Sequence, residues 1–177
     1  MKRYVLVGIT VLAAACGSSS SPSSPSGQPN TVVFTAALSA ANETPAPITN
    51  ADKDAKGNST ITFHLTRDGS GTITAATVDF VWSLSGFPPG TSIILTHIHE
   101  GGPSIGGGVV INSTLSAASA IVLADGSTTN ITFSGLAPQP AGLAVIQRII
   151  DNPNGFYFNV HSQLNPGGAV RGQLVRQ

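Results

Sequence analysis

Residues Asn58-Ser59-Thr60-Ile61-Thr62-Phe63-His64-Leu65-Thr66 read as a single strand, because apolar and polar side chains alternate without a break. Ile61, Phe63 and Leu65 fall on one face, and Thr60, Thr62, His64 and Thr66 on the other. Arg67-Asp68-Gly69-Ser70-Gly71 follows as a hairpin turn, and Thr72 to Leu84 returns. On the return, Val78, Phe80, Trp82 and Leu84 share a face, whereas Ile73 and Ala75 have the opposite parity. A bulge or break is therefore predicted near Ala76. His64, set among threonines, is expected in solvent and outside any site.

Working outward, Val32 to Ala37 reads as an extended strand before this hairpin, and Gly86 to Gly90 as a loop after it. Ser92 to His99 and Val109 to Ile111 are further strands. Ala120–Ala124 and Thr128–Phe133 flank Asp125-Gly126, a strong hairpin signal. Leu143, Ile146, Ile149 and Ile150 have helical spacing, which makes Pro140 to Asp151 the one helix candidate, ended by Asn152-Pro153. Phe156–His161 and Ala169–Val175 close the chain as strands. The expected fold is all-β: a Greek-key, immunoglobulin-like β-sandwich or barrel with one short helix near 140–151.

Composition narrows the class. Charged residues make up 9% of the 177 residues, against about a quarter in an average soluble domain. Eight basic residues balance eight acidic ones, so no cationic excess exists to neutralise a phosphate backbone, and nucleic acid is not an expected partner. An apolar fraction of 41% excludes wholesale disorder. A single cysteine excludes a disulfide framework and a cysteine-based zinc finger within one chain.

The N-terminus has the order of a targeting segment. Lys2 and Arg3 precede an uncharged stretch from Tyr4 to Ala15, which is too short to span a bilayer. Ala13-Ala14-Ala15-Cys16-Gly17 resembles the bacterial lipoprotein signal, in which the cysteine is acylated and becomes the new N-terminus. The alternative is an ordinary secretory peptide cut after an A-x-A site, with Cys16 incidental. Gly17 to Asn30 is almost all Ser, Pro and Gly, which makes it a tether with an expected span of about 20 Å. The predicted organisation is a signal peptide at 1–15, a lipidated Cys16 with its Ser/Pro-rich tether at 16–30, and one domain at 31–177. Acyl chains would hold that domain on a membrane through about 0.8 kcal/mol per buried CH2.

Four blocks of the domain stand out together. They are Leu38-Ser39-Ala40-Ala41-Asn42-Glu43-Thr44-Pro45, Thr96-His97-Ile98-His99-Glu100-Gly101, Phe156-Tyr157-Phe158-Asn159-Val160-His161-Ser162, and Asn165-Pro166-Gly167-Gly168-Ala169-Val170-Arg171-Gly172-Gln173-Leu174. In this order and spacing they resemble the CHRD domain, a module named from the animal protein chordin and found also in bacterial secreted proteins. The resemblance runs from about Val33 to Leu174. It departs at Ala169, where the family often has Glu, and at Gly106-Gly107-Gly108, which stands in place of an Asn-Gly-Pro type of turn. It implies an extracytoplasmic β-sandwich module and no particular reaction.

The histidines admit two readings. Strand parity puts His97 and His99 on the same face, about 6.7 Å apart along the strand. If the strand ending in His161 lies beside theirs, three imidazoles meet, a set suited to Zn or Cu. Glu43 or Glu100 would then serve as a carboxylate ligand or orient an imidazole. In the other reading, His97 and His99 follow Ile93 and Leu95 on a buried face, and Arg171 pairs with Glu43 or Glu100 in a structural polar network. No phosphate loop is present. The expected function is a lipid-anchored, non-catalytic binding or structural module of the bacterial cell envelope, facing periplasm or exterior, with an envelope protein or glycan as ligand. The alternative is a Zn- or Cu-binding protein or metalloenzyme.

Overall fold

The computed structural model describes residues 27–177. The predicted signal peptide, Cys16 and most of the tether lie outside the described residues. In chain order the strands are β1 (Thr31–Ser39), β2 (Lys56–Arg67), β3 (Ile73–Ser85), β4 (Thr91–Glu100), β5 (Val109–Asn112), β6 (Ile121–Leu123), β7 (Thr128–Leu136), β8 (Phe156–Ser162), β9 (Val170–Gln173) and β10 (Val175–Arg176). One α-helix, α1 (Leu143–Asp151), lies between β7 and β8. Among the described residues, the all-β expectation with a single short helix holds.

The strands form a ten-stranded sheet in the order β5-β4-β8-β9-β1-β2-β3-β7, with β10 added to β1 and β6 to β4. Every pairing is antiparallel. The sheet curls until its two flanks face each other, so that Phe80 of β3 and Phe158 of β8 stack with ring centroids 5.7 Å apart. Hydrogen bonding is continuous from flank to flank, through the Ser39–Arg171 pair that joins β1 to β9. The core lies inside the curl. Phe34, Ile61, Phe63, Val78, Phe80, Trp82, Ile98, Phe158 and Val160 are all buried there. From α1, Val145, Ile146 and Ile149 complete it.

The β2–β3 hairpin forms as its alternation dictates. Ile61, Phe63 and Leu65 pair with Phe80, Val78 and Ala76. Asp68 shapes the turn, its Oδ1 accepting the backbone N–H groups of Ser70 and Thr72. The irregularity falls where Thr66 pairs Ala75 and Arg67 pairs Ile73, which leaves Thr74 as the extra residue. That bulge turns Ile73 back to the core, which answers the parity conflict in the sequence.

Three expectations are corrected. Asp125-Gly126 is a tight turn but not a hairpin: β6 pairs with β4, whereas β7 pairs with β3. β3 and β4 lie on opposite flanks, so the turn is a crossing parallel in role to the 86–90 loop, and the Phe87 N–H donates to the Gly126 carbonyl where the crossings meet. The last predicted strand, Ala169–Val175, is divided at buried Leu174, because β9 pairs mainly with β8 and β10 pairs with β1. The helix begins at Leu143, after Gly142, and not at Pro140, which bridges to Ile111.

Candidate metal centre

The register of β4, β8 and β9 decides the site. The pairs His99–Tyr157, His97–Asn159 and Leu95–His161 lie across β4 and β8, and Asn159–Arg171 and Tyr157–Gln173 across β8 and β9. Directly opposed residues share a face. One face of this flank therefore carries His97, His99, Tyr157, Asn159, His161, Arg171 and Gln173, while Ile98, Phe158, Val160 and Val170 fill the core from the other. The expectation that the histidines share a face with Ile93 is overturned. A register shift between Ile93 and Leu95 reverses the parity, so Ile93 joins the core and Leu95, His97 and His99 point outward.

That outward face is buried all the same: His97, His99 and His161 are 6%, 8% and 4% exposed, and Arg171 is 1% exposed. Loops make the cover. The 101–108 loop bonds Arg171 through the carbonyls of Gly102 and Ile105, and the loop after β8 bonds His161 through Pro166. Gly107 has to be a glycine, since a Cβ there would lie 1.6 Å from the Glu100 carbonyl oxygen. Its carbonyl accepts from His99, and its N–H donates to the Tyr157 hydroxyl.

The three imidazoles converge. His97 Nδ1 is 3.2 Å from His161 Nε2. One nitrogen from each of the three rings can be chosen so that all lie within 4.8 Å of one another. Two tautomers are set from behind. His99 Nδ1 is 2.9 Å from the Gly107 carbonyl and His161 Nδ1 is 2.9 Å from the Pro166 carbonyl, so both Nδ1 atoms carry the proton and donate. Each Nε2 is then a bare lone pair, and that of His99 is buried without any partner. An orphaned buried polar atom costs about 1–3 kcal/mol.

Burial sets the protonation states. Together with the neighbouring His161 and His99 rings, it pushes His97 down to about 3. Burial also lowers His99, against the raising effect of the Gly107 carbonyl, and lowers His161, against that of Pro166. All three rings are neutral near pH 7, the form in which imidazole binds metal.

Of the predicted carboxylates, Glu43 belongs to this end of the fold and Glu100 does not. Glu100 is exposed and pairs with Arg148 on the protein surface. Glu43 is buried, with Oε1 unpartnered, and burial raises its carboxyl to about 7 despite the Arg171 charge, the Thr44 N–H and the Asn159 amide. Gly168 keeps space open beside it, since a Cβ there would lie 2.7 Å from both Glu43 Oε2 and Asn159 Nδ2. The predicted ion pair between Arg171 and either glutamate does not form. The guanidinium donates instead to Thr44 Oγ1, Gln173 Oε1 and the two loop carbonyls. It lies 3.5 Å from the Tyr157 ring centroid, and Tyr157 in turn stacks on His99 at 4.9 Å and 5°. Because β8 runs between β4 and β9, the phenol ring stands between this cation and His99, which the Arg171 charge still helps to lower.

Each of the four sequence blocks contributes to this one end of the sheet. The CHRD domain family matches residues 34–174, four-fifths of the chain. The chain belongs to the CHRD domain family. Comparison with curated proteins gives no match. Within the CHRD domain, the sequence reading found the three histidines, Glu43 and Arg171 but missed Tyr157, Asn159, Thr44 and Gln173. For Tyr157 and Asn159 the signal was parity, since they alternate with His161 against Phe156, Phe158 and Val160 in β8. His64 is exposed as expected and pairs with Asp79 on the opposite flank.

Proposed function

We propose that this CHRD protein is a binding module held outside the cytoplasm by an acylated Cys16, with the loop-covered end of β4, β8 and β9 as its recognition end. The single observation that carries the binding role is the grouping of Glu43 Oε1, His99 Nε2 and Asn159 Oδ1, three buried and unpartnered polar atoms, at that end. A purely structural end would be more stable filled with hydrocarbon, because each such atom forfeits its hydration without compensation. Unsatisfied buried groups that persist together are better accounted for by a ligand.

The leader, the cysteine and the uncharged tether support display on the envelope, with Ile105 and Leu164, the exposed tips of two covering loops, turned to an envelope protein or glycan. Two measurements test this. Cells given radiolabelled palmitate are expected to label the wild type and not Cys16→Ser, with the wild type in the membrane fraction. An unmodified wild-type chain in the cytosol would overturn the anchoring. On an array of envelope glycans, the full chain is expected to bind, and Ile105→Asp with Leu164→Asp to weaken binding at least tenfold; a wild-type signal indifferent to both changes places recognition elsewhere.

A further inference from the structure

We infer that His97, His99 and His161 form a three-imidazole site for one late first-row transition-metal ion, Zn(II) or copper. The inference gives the recognition end a ligand class, and it stands on ring geometry, not on Cys16 or the tether.

Geometry comes first. Ligand nitrogens about 2.0–2.1 Å from a tetrahedral ion are about 3.3–3.4 Å apart. His97 Nδ1 and His161 Nε2 already meet this at 3.2 Å, and no pair in the set exceeds 4.8 Å. Adjacent antiparallel strands hold all three rings, and the backbone carbonyls of Gly107 and Pro166 fix two of them from the far side. Such outer partners are the usual means by which a protein turns an imidazole lone pair toward a metal.

The alternative, a self-contained hydrogen-bonded cluster, leaves an atom unexplained. If His97 Nδ1 donates to His161 Nε2, that pair is satisfied, but His99 Nε2 remains a buried lone pair with no donor. Neither charged neighbour supplies one: the Arg171 hydrogen bonds go to Thr44, Gln173 and the 101–108 loop, and Glu43 Oε1 is itself without a partner. A metal ion employs all three lone pairs at once.

The donor set decides the ion. Three neutral imidazoles with neither thiolate nor carboxylate suit Zn and Cu, whereas Mg and Ca require oxygen ligands. The ring stack on Tyr157 keeps the Arg171 charge on the far side of the phenol.

The test uses the full chain in detergent, stripped with a chelator and titrated separately with Zn(II), Cu(II), Mg(II) and Ca(II) in a calorimeter. Zn(II) or Cu(II) is expected to bind at one ion per chain and raise the melting temperature, with Mg(II) and Ca(II) inert. His97→Ala, His99→Ala and His161→Ala should each weaken binding by more than the roughly 10–100-fold that losing an outer partner costs. His64→Ala and Cys16→Ser should leave it unchanged. Should an alanine variant fail to fold, Co(II) added to the wild type gives a second reading, because a tetrahedral nitrogen site shows intense visible bands and an octahedral aquo ion weak ones. No Zn(II) or Cu(II) uptake by the wild type, uptake that survives all three alanine changes, or uptake lost with Cys16→Ser would overturn the site. A metal-free result leaves the anchored module intact, and a cytosolic chain leaves the metal site intact, so the two readings fail separately.

Discussion

The two flanks of the curled sheet use the same alternation and end differently. On the β2 flank, the face turned from the core carries Thr60, Thr62, His64 and Thr66, none of them buried. On the β4–β8–β9 flank the equivalent face carries His97, His99, Asn159, His161 and Arg171, all of them buried. Strand parity selects the face in both cases. What differs is cover: the 101–108 and 163–168 segments fold over one flank and bond to its side chains. A histidine in water needs no partner, whereas one beneath a loop must find one or lose stability.

The sharpest break in that comparison is Arg171→Ala. Arg171 is the fastener of the cover, since its donors hold Thr44 and the carbonyls of Gly102 and Ile105. Its loss strands those carbonyls beneath the loop and removes the guanidinium from Tyr157. The expected cost is about 3–5 kcal/mol, the range for removing one member of a buried charged network. In a domain of this size that lowers the melting temperature by roughly 10 °C. Arg67→Ala, on the other flank, removes one bond to the Gly71 carbonyl and should cost under about 1 kcal/mol. Equal losses in the two variants, measured by thermal melts, would mean that the cover contributes nothing.

Most of the fold was legible because it depends on alternation, and alternation is local. Ile61, Phe63, Val78, Phe80 and Trp82 all point where their spacing required. The failures came from pairing at a distance. Asp125-Gly126 makes the turn it encodes, but nothing local states that the strands on either side join opposite flanks. Likewise, the register shift between Ile93 and Leu95 shows only in the pairing of β4 with β8, so the face of His97 was misjoined to Ile93 although its neighbours were correctly grouped. At the site, residue types revealed the histidines, while Tyr157 and Asn159 were passed over because a strand reading as continuous core hides its polar members. Arg171 was rightly singled out but wrongly paired, since its true partners are mostly backbone carbonyls, which every residue has.

Proton binding separates the covered groups next. The His97 ring is near 3 in the fold against about 6.5 unfolded, so the unfolded chain binds the proton first. Its share of stability is whole above pH 6.5 and declines as pH falls toward 3, by up to about 1.4 kcal/mol per unit. His99 and His161 are shifted the same way and add to the loss. Glu43 has the opposite sign. Its carboxyl is raised to about 7, so its share is whole below pH 4.5 and declines as pH rises to 7. Metal-free wild type is therefore expected to lose stability from pH 6.5 to 4, three rings outweighing one carboxyl. Glu43→Gln should steepen that loss, by removing the opposing slope, and His97→Asn should flatten it. Urea titrations at each pH measure both, and parallel slopes in the two variants would contradict the assignment.

The smallest effect is expected on the open flank, at His64→Ala. His64 Nε2 is 3.0 Å from Asp79 Oδ2, but the two side chains are 47% and 28% exposed, so water competes for both. Exposed pairs of this kind contribute about 0–1 kcal/mol. Asp79 also has a better partner. The Gly135 N–H donates to its Oδ1 at 2.7 Å and is the main reason that its carboxyl lies below the usual range. Removing the imidazole therefore leaves Asp79 bonded across the β3–β7 pair, and the loss should stay under about 0.5 kcal/mol. Asp79→Asn, which weakens the Gly135 bond as well, should cost more than His64→Ala. If a double-mutant cycle instead gave the His64–Asp79 pair a coupling of 2 kcal/mol or more, exposure would not be what divides the two flanks, and the histidines beneath the loops would lose their special standing.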